Sequence, residues 1–240
     1  MSTASREDRK KILFDNLLAW FNNAINLDTS NMTVMEFGCG RFGYISLYKE
    51  YFKGAIALDI DDYSDSYSQD IKFVVSDGFN IPLPNNSVDV VVCHSVLEHV
   101  VDLEKSLSEI HRILKIGGYA YLTISPLYFS PGGSHINHPI KLDKWEHLDP
   151  ESPYYMTQNP MPSANWAGLY LNKLTVGEFL HAVGNIPWNI MAFDRRILIK
   201  EKPEFLQNVD GINSLNLFTR EFRFLGKKLC DIGEKGAIYK

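Results

Sequence analysis

Three glycines in "VMEFGCGRFGY" (residues 34–44), Gly38, Gly40 and Gly43, form a G-x-G-x-x-G. After a strand and at the opening of a helix, this spacing lets backbone approach a nucleotide-like ligand closely. Acids stand around it. Glu36 lies just before the first glycine, Asp59 beyond the last, and Asp77 directly before Gly78. A second group sits further along: Glu98 and His99 in "HSVLEHV", then His135, His138 and His147 in a segment rich in aromatics. Imidazoles and carboxylates of this kind are the side chains that accept protons in general-base chemistry.

The acids decide what the glycines hold. A carboxylate at Glu36 would repel a pyrophosphate but suits the ammonium of an amino-acid moiety. Asp59 falls near the ~20-residue spacing of an acid that grips ribose hydroxyls, and Asp77 can accept from an exocyclic adenine amine. Three acids and no phosphate-binding lysine favour a phosphate-free, cationic adenosyl cofactor, a description S-adenosylmethionine fits.

The elements that must position these residues are legible as alternating runs. Residues 5–26 have apolar positions near a 3.6 period and read as a helix. Strands are expected at 33–37, 55–59, 71–77, 88–93 and 119–125, with a helix over 43–52. Another helix has Asp102 as N-cap, Leu103, Leu107, Ile110 and Leu114 on one face, and Gly117 beyond its end. The nearly all-valine "VDVVVC" suits a central parallel strand covered on both faces. Strand–helix alternation predicts an α/β fold with a mostly parallel sheet, whose ligands gather at the carboxyl ends of the strands. Residues 126–170 show no sustained period, which is long for a plain connection and marks an insertion or lid. A helix follows at 174–183, with Thr175 and Glu178 at capping-box spacing. A strand near 187–193 and a late antiparallel strand over 215–225 complete the chain.

With 240 residues, 45% of them hydrophobic, the chain can bury one full core. The net charge of -5 argues against bulk binding to nucleic acid or an anionic membrane surface. The N-terminal stretch has no apolar signal-peptide core, and no 18 consecutive apolar residues occur, so a cytoplasmic protein without a membrane span is expected. Cys39, Cys93 and Cys230 are odd in number and widely spaced, which reads as reduced thiols.

The segments "VMEFGCGRFG", "AIALDID", "VVSDGFNIPLPNNSVDVVVCHSVLEHV" and "SLSEIHRILKIGGYAYLTISP" resemble the class I S-adenosylmethionine-dependent methyltransferases, of the methyltransferase type 11 kind. The resemblance covers roughly residues 30–126. It implies a Rossmann-like fold with a mostly parallel seven-stranded sheet, an antiparallel late strand, helices on both faces and an insertion after the fifth strand. The chain would be a single domain: an N-terminal helix (1–30), a cofactor-binding core (31–125), an acceptor-side insertion or lid (126–170) and a C-terminal helix with strands (171–240). It also implies S-adenosyl-L-methionine as cofactor. Glu36, Gly38, Gly40 and Gly43 would line its methionine end, Asp59 would hold the ribose, Ile60 would pack on adenine, and Asp77 with Gly78 would read the adenine edge. His94 would line the pocket.

Methyl transfer to a hydroxyl benefits from a base, and His135, Glu98 and His99 are the candidates, His135 first. In the ubiquinone-pathway O-methyltransferases a similar E-x-x-E-H segment supplies metal ligands. Here Ser95 replaces the first glutamate, and His135-x-x-His138 has no obvious third ligand, so no metal is expected. His111 and His181 are expected on packed or solvated helix faces. "SPLYFSPGGSH" looks loosely like methyltransferases of surface-polysaccharide and glycan pathways, which points to a sugar, nucleotide-sugar or glycan hydroxyl as acceptor. A monomer or homodimer is expected, with the choice between them open. The competing readings are N- or C-methylation of an amine or quinone-like acceptor, a nicotinamide-dependent oxidoreductase, and a cofactor-binding module without turnover.

Overall fold

The computed structural model describes residues 28–135, 144–155, 171–198 and 214–233, with positions 10–12, 14, 15, 18, 19, 22, 204 and 206. His138 and Trp166 lie outside the described residues, and of the helix expected over 5–26 only the positions between 10 and 22 named here are described, all helical.

Seven strands form one sheet: β1 (Thr33–Phe37), β2 (Gly54–Asp59), β3 (Ile71–Val75), β4 (Val88–His94), β5 (Leu114–Ile124), β6 (Trp188–Ile197) and β7 (Thr219–Lys228). Their order is β3-β2-β1-β4-β5-β7-β6. The first five run parallel, and β7 pairs antiparallel with both β5 and β6. The chain winds outward from β1 through β2 to β3, then returns to the other side of β1 as β4. That reversal opens a crevice at the carboxyl ends of β1 and β4, the place where open α/β sheets bind ligands.

Alternation along the strands sorts the core into two layers. Met35, Phe37, Ile56, Leu58, Val91, Cys93, Ala120 and Leu122 pack on one face, against α2 (Leu103–Ile113) and α3 (Val176–Gly184). Val34, Ala55, Ala57, Val90, Val92, Tyr119 and Tyr121 pack on the other, against α1 (Ile45–Tyr48) and Phe14 of the N-terminal helical segment. Burial on both sides explains why β4 reads as continuous valine. The Asp102 carboxylate accepts the Lys105 N–H at 2.9 Å, capping α2. Thr175 and Glu178 form the full capping box of α3.

The structure departs from the sequence expectation at several boundaries. β5 begins at Leu114, which the apolar spacing places on the helix, and not at 119. The helix expected over 43–52 is a single turn, α1, followed by turns into β2. Gly117 does not cap α2; it lies within β5 with φ +84°. The carbonyls of His111 and Leu114 are instead taken by the buried Lys228 ammonium, each at 2.9 Å, which removes the need for a glycine cap. The late strand begins at Thr219, because residues 214–218 form a helix, α4, whose Leu217 and Phe218 pack with Tyr128 and Trp145. The strand expected near 187–193 runs on to Ile197, paired with β7 along its length.

Candidate active site

At the end of β1 the chain turns through Gly38 and Gly40, both with positive φ (+74° and +56°), a conformation cheap only for glycine. A Cβ on Gly38 would also meet Val96 Cγ2 at 2.4 Å. Glu36 lies beneath this loop, 2% exposed. Its carboxylate accepts the N–H groups of Tyr44 (3.1 Å) and Ile45 (2.6 Å), which fixes the start of α1. Gly43 passes so close that a Cβ there would stand 2.5 Å from Glu36 Oε2. Burial pushes the Glu36 carboxyl up to about 7, against those two amides and the Lys10 ammonium, which lower it. An ionised carboxylate has about four lone-pair directions, so two amides leave it capacity for a ligand cation.

Asp59, at the end of β2, accepts the Gly40 N–H at 2.7 Å and so ties the second strand end to the glycine loop. Ile60 beside it is exposed to solvent at 67%, an apolar side chain with an open face toward any flat ring. Asp77 follows β3; its Oδ1 accepts the Phe79 N–H at 2.9 Å. Gly78 has φ +80°, and a Cβ there would strike the Phe37 ring at 2.4 Å. The carboxyl ends of β1, β2 and β3 thus carry the glycine turn, an acid with an apolar neighbour, and a second acid.

Four contributors to this end of the sheet carry no signal in the sequence. The Tyr67 hydroxyl donates to the Gly40 carbonyl (2.7 Å) and accepts the Gly43 N–H (2.9 Å), clamping the glycine loop from the segment after β2. The Lys10 ammonium reaches the Gly43 carbonyl at 2.6 Å. Tyr48 bonds His94 Nε2 at 3.0 Å, and Thr123 lies 3.4 Å from His94 Nδ1. Desolvation holds His94 down to about 3, so its imidazole is neutral. Burial pushes the Cys39 thiol up to about 12, which leaves it a small packed side chain, not a nucleophile.

The second group gathers where β4 and β5 end. Glu98 is 2% exposed; its Oε1 lies 3.4 Å from the Ser125 N–H, while Oε2 has no hydrogen-bond partner. Burial raises its carboxyl to about 8. His135, at φ +59°, stands with its ring centroid 4.9 Å from that of His99. The Pro126 carbonyl can only accept, so His135 Nε2 carries the ring proton toward it at 2.9 Å and the lone pair is on Nδ1. Ligand atoms of Glu98, His99 and His135 all fall within 4.8 Å of one another. Asn172 holds the turn that carries Glu98 and His99: its side chain donates to the carbonyls of Leu97 (2.6 Å) and Val100 (3.1 Å), and its N–H to that of Glu98 (3.0 Å).

His147 does not join this group. Its Nε2 donates to the Tyr128 carbonyl at 2.6 Å, and it packs in the small core of Tyr128, Trp145, Leu148 and Leu217 that seats the insertion. His111 is fully buried against Trp188, and His181 is exposed on α3.

Residues 35–122 match the model of a methyltransferase domain. A probable S-adenosylmethionine-dependent methyltransferase of Mycolicibacterium smegmatis is 35% identical over 107 residues, which is 41% of this chain and 40% of that protein. A sterol 24-C-methyltransferase of Pneumocystis carinii is 29% identical over 132 residues, 50% of this chain and 31% of that protein. The crystal structure of an S-adenosylmethionine-dependent methyltransferase from Mesorhizobium loti superposes with a TM-score of 0.60, covering 88% of this chain and 96% of that one at 15% identity. Residues 35–122 thus carry the match to a methyltransferase domain, and the fold is that of the class I S-adenosylmethionine-dependent methyltransferases. The matched domain and the fold imply S-adenosylmethionine as cofactor, and the residues fit that group: acids at three strand ends and a glycine turn. The chain spans less than half the length of the two curated relatives named here.

Proposed function

We propose that the protein transfers a methyl group from S-adenosylmethionine to a hydroxyl of a small acceptor, a sugar, nucleotide-sugar or glycan precursor. One observation carries the choice of a hydroxyl: Glu98, His99 and His135 converge at the ends of β4 and β5, beside the strand that bears the glycine turn. A hydroxyl must lose its proton as the new C–O bond forms, and a positioned base accelerates that loss. A neutral amine acceptor, which attacks through a free lone pair, gives such a cluster less to do.

When bound, S-adenosylmethionine supplies an electrophilic methyl on a sulfonium. The protein's residues hold it and exclude water. Glu36 would take the ammonium, Asp59 the ribose hydroxyls, Ile60 one face of the adenine and Asp77 with Gly78 its edge, with Gly38, Gly40 and Gly43 leaving room for close approach. His94, neutral and fixed between Tyr48 and Thr123, would form part of the wall on the acceptor side. Much of the acceleration in such a displacement is positioning, which can be worth several kcal/mol.

On the acceptor side, His135 with its lone pair on Nδ1 would accept the proton as first-choice base, with Glu98 and His99 beside it. Of the insertion's described aromatic residues, Phe129 and Tyr155 keep part of their rings exposed, faces of a kind that suits a sugar ring. The test is a panel of sugars, nucleotide-sugars, amines and quinone-like compounds incubated with the full chain and methyl-labelled cofactor. Label in an ether linkage supports the reading; label on nitrogen or carbon of amine and quinone-like acceptors, with none on any hydroxyl, overturns it.

A further inference from the structure

We propose that Glu98, His99 and His135 bind a divalent transition-metal cation through one carboxylate and two imidazoles. The first observation is their convergence: one donor atom from each lies within 4.8 Å of the others. The second is independent of it. Glu98 is 2% exposed, and its Oε2 has no hydrogen-bond partner. A buried oxygen left unsatisfied is costly, more so when charged, and a cation among these donors would relieve that cost.

The surroundings are those of a held ligand set. The His135 Nε2–H donates to the Pro126 carbonyl, which presents Nδ1 as the metal-binding nitrogen; a ligating histidine typically anchors its other nitrogen in this way. Asn172 fixes the backbone on both sides of Glu98 and His99 with three hydrogen bonds. Donors bound at ~2.0–2.2 Å to one ion stand roughly 3–4 Å apart, so binding asks these side chains to draw together by about 1 Å. Imidazole with carboxylate suits zinc, iron or nickel; magnesium and calcium prefer all-oxygen sets. Three protein ligands leave positions open for water or another oxygen. That the acceptor hydroxyl takes one of them rests on the methylation reading above; with the ion bound, the cation would acidify that hydroxyl and its proton would pass to solvent, His135 serving as ligand in place of base.

The closing experiment uses tag-free full chain stripped with chelator and titrated by calorimetry with Zn2+, with Mg2+ for contrast, and separately with S-adenosylhomocysteine. One equivalent of Zn2+ bound at micromolar affinity or tighter is expected, with no comparable Mg2+ binding. Glu98→Gln and His135→Ala should each weaken Zn2+ by 10-fold or more while leaving S-adenosylhomocysteine affinity unchanged, and His181→Ala should change neither. Wild-type protein loaded with Co2+ should show visible d–d bands without a thiolate charge-transfer band, a readout that needs no variant to fold. No stoichiometric Zn2+ binding, or binding that survives both ligand substitutions, overturns the site. Zn2+ binding without S-adenosylhomocysteine binding upholds the metal site and counts against the methyltransferase reading instead.

Discussion

On the proposed reading Glu36 has two jobs that conflict in free energy. It must be buried to hold the Tyr44 and Ile45 amides, yet burial favours its neutral form and lifts it from 4.5 to about 7. A cationic ligand needs the ionised form. Affinity for S-adenosylmethionine should therefore rise as pH climbs from 6 to 8, and Glu36→Gln should bind more weakly and without that pH dependence. A dissociation constant flat across this range in the native protein would separate Glu36 from the ammonium. At the other group, His135→Ala should lower kcat by ~10²-fold or more, the usual scale for a lost general base, with little change in cofactor affinity. A parallel loss of cofactor binding would move His135 to the cofactor pocket.

At the scale of elements, the turn between β4 and α2 is the part on which the acceptor side depends. Asn172→Ala removes two side-chain hydrogen bonds to it, leaving the Leu97 and Val100 carbonyls short of a donor. A stability loss of ~1–3 kcal/mol follows from that count, and turnover should fall while S-adenosylhomocysteine binding holds; chemical denaturation and a kinetic comparison check both. Gly78→Ala should cost at least ~1–3 kcal/mol, through its positive φ and the Phe37 ring beneath it. The strands β1 to β5, the Asp102 cap and the Thr175–Glu178 box were readable beforehand, because each rests on a local pattern of apolar spacing or side-chain capping. α4 and the true start of β7 were not. "LNLFTREFRFL" alternates throughout, and only the small core around Trp145 and Tyr128 draws its first residues into a helix. Gly117 misled for a similar reason: a lysine more than a hundred positions away does the capping. In the site, Glu36, Asp59 and Asp77 announce themselves by charge at strand ends, whereas Tyr67 and Asn172 act through backbone contacts that no spacing reveals.

Over the whole molecule, buried titratable groups predict how stability should vary with pH. His94 is lowered to about 3, and His111, His135 and His147 to about 4, all by desolvation. Each binds fewer protons folded than unfolded, so its contribution is lost as pH falls from 6.5 toward 4. Glu36 and Glu98, raised to about 7 and 8, act in the opposite sense: they hold protons in the folded state and lose stability as pH rises from 4.5 through those values. Thermal midpoints without ligand should peak near pH 6.5 and decline on both sides, and Glu98→Gln should flatten the decline toward pH 8. A midpoint that rises steadily from 6.5 to 8 would contradict the buried placement of both carboxylates.

Among the described residues no helix is long and apolar enough to cross a membrane. The sheet order, the crevice between β1 and β4 and the acids at three strand ends all converge on one adenosyl cofactor, and its binding is the direct test. Thermal shift should be measured with S-adenosylmethionine, S-adenosylhomocysteine, NAD and NADP in turn. A ligand at a hundred times its dissociation constant stabilises by ~2.7 kcal/mol, roughly 5–10 °C for a domain of this size. Shifts of that order with the two adenosyl compounds alone are the result predicted here. A shift with NAD or NADP alone would mean that the glycine turn holds a pyrophosphate despite Glu36, and the account would fail at its centre.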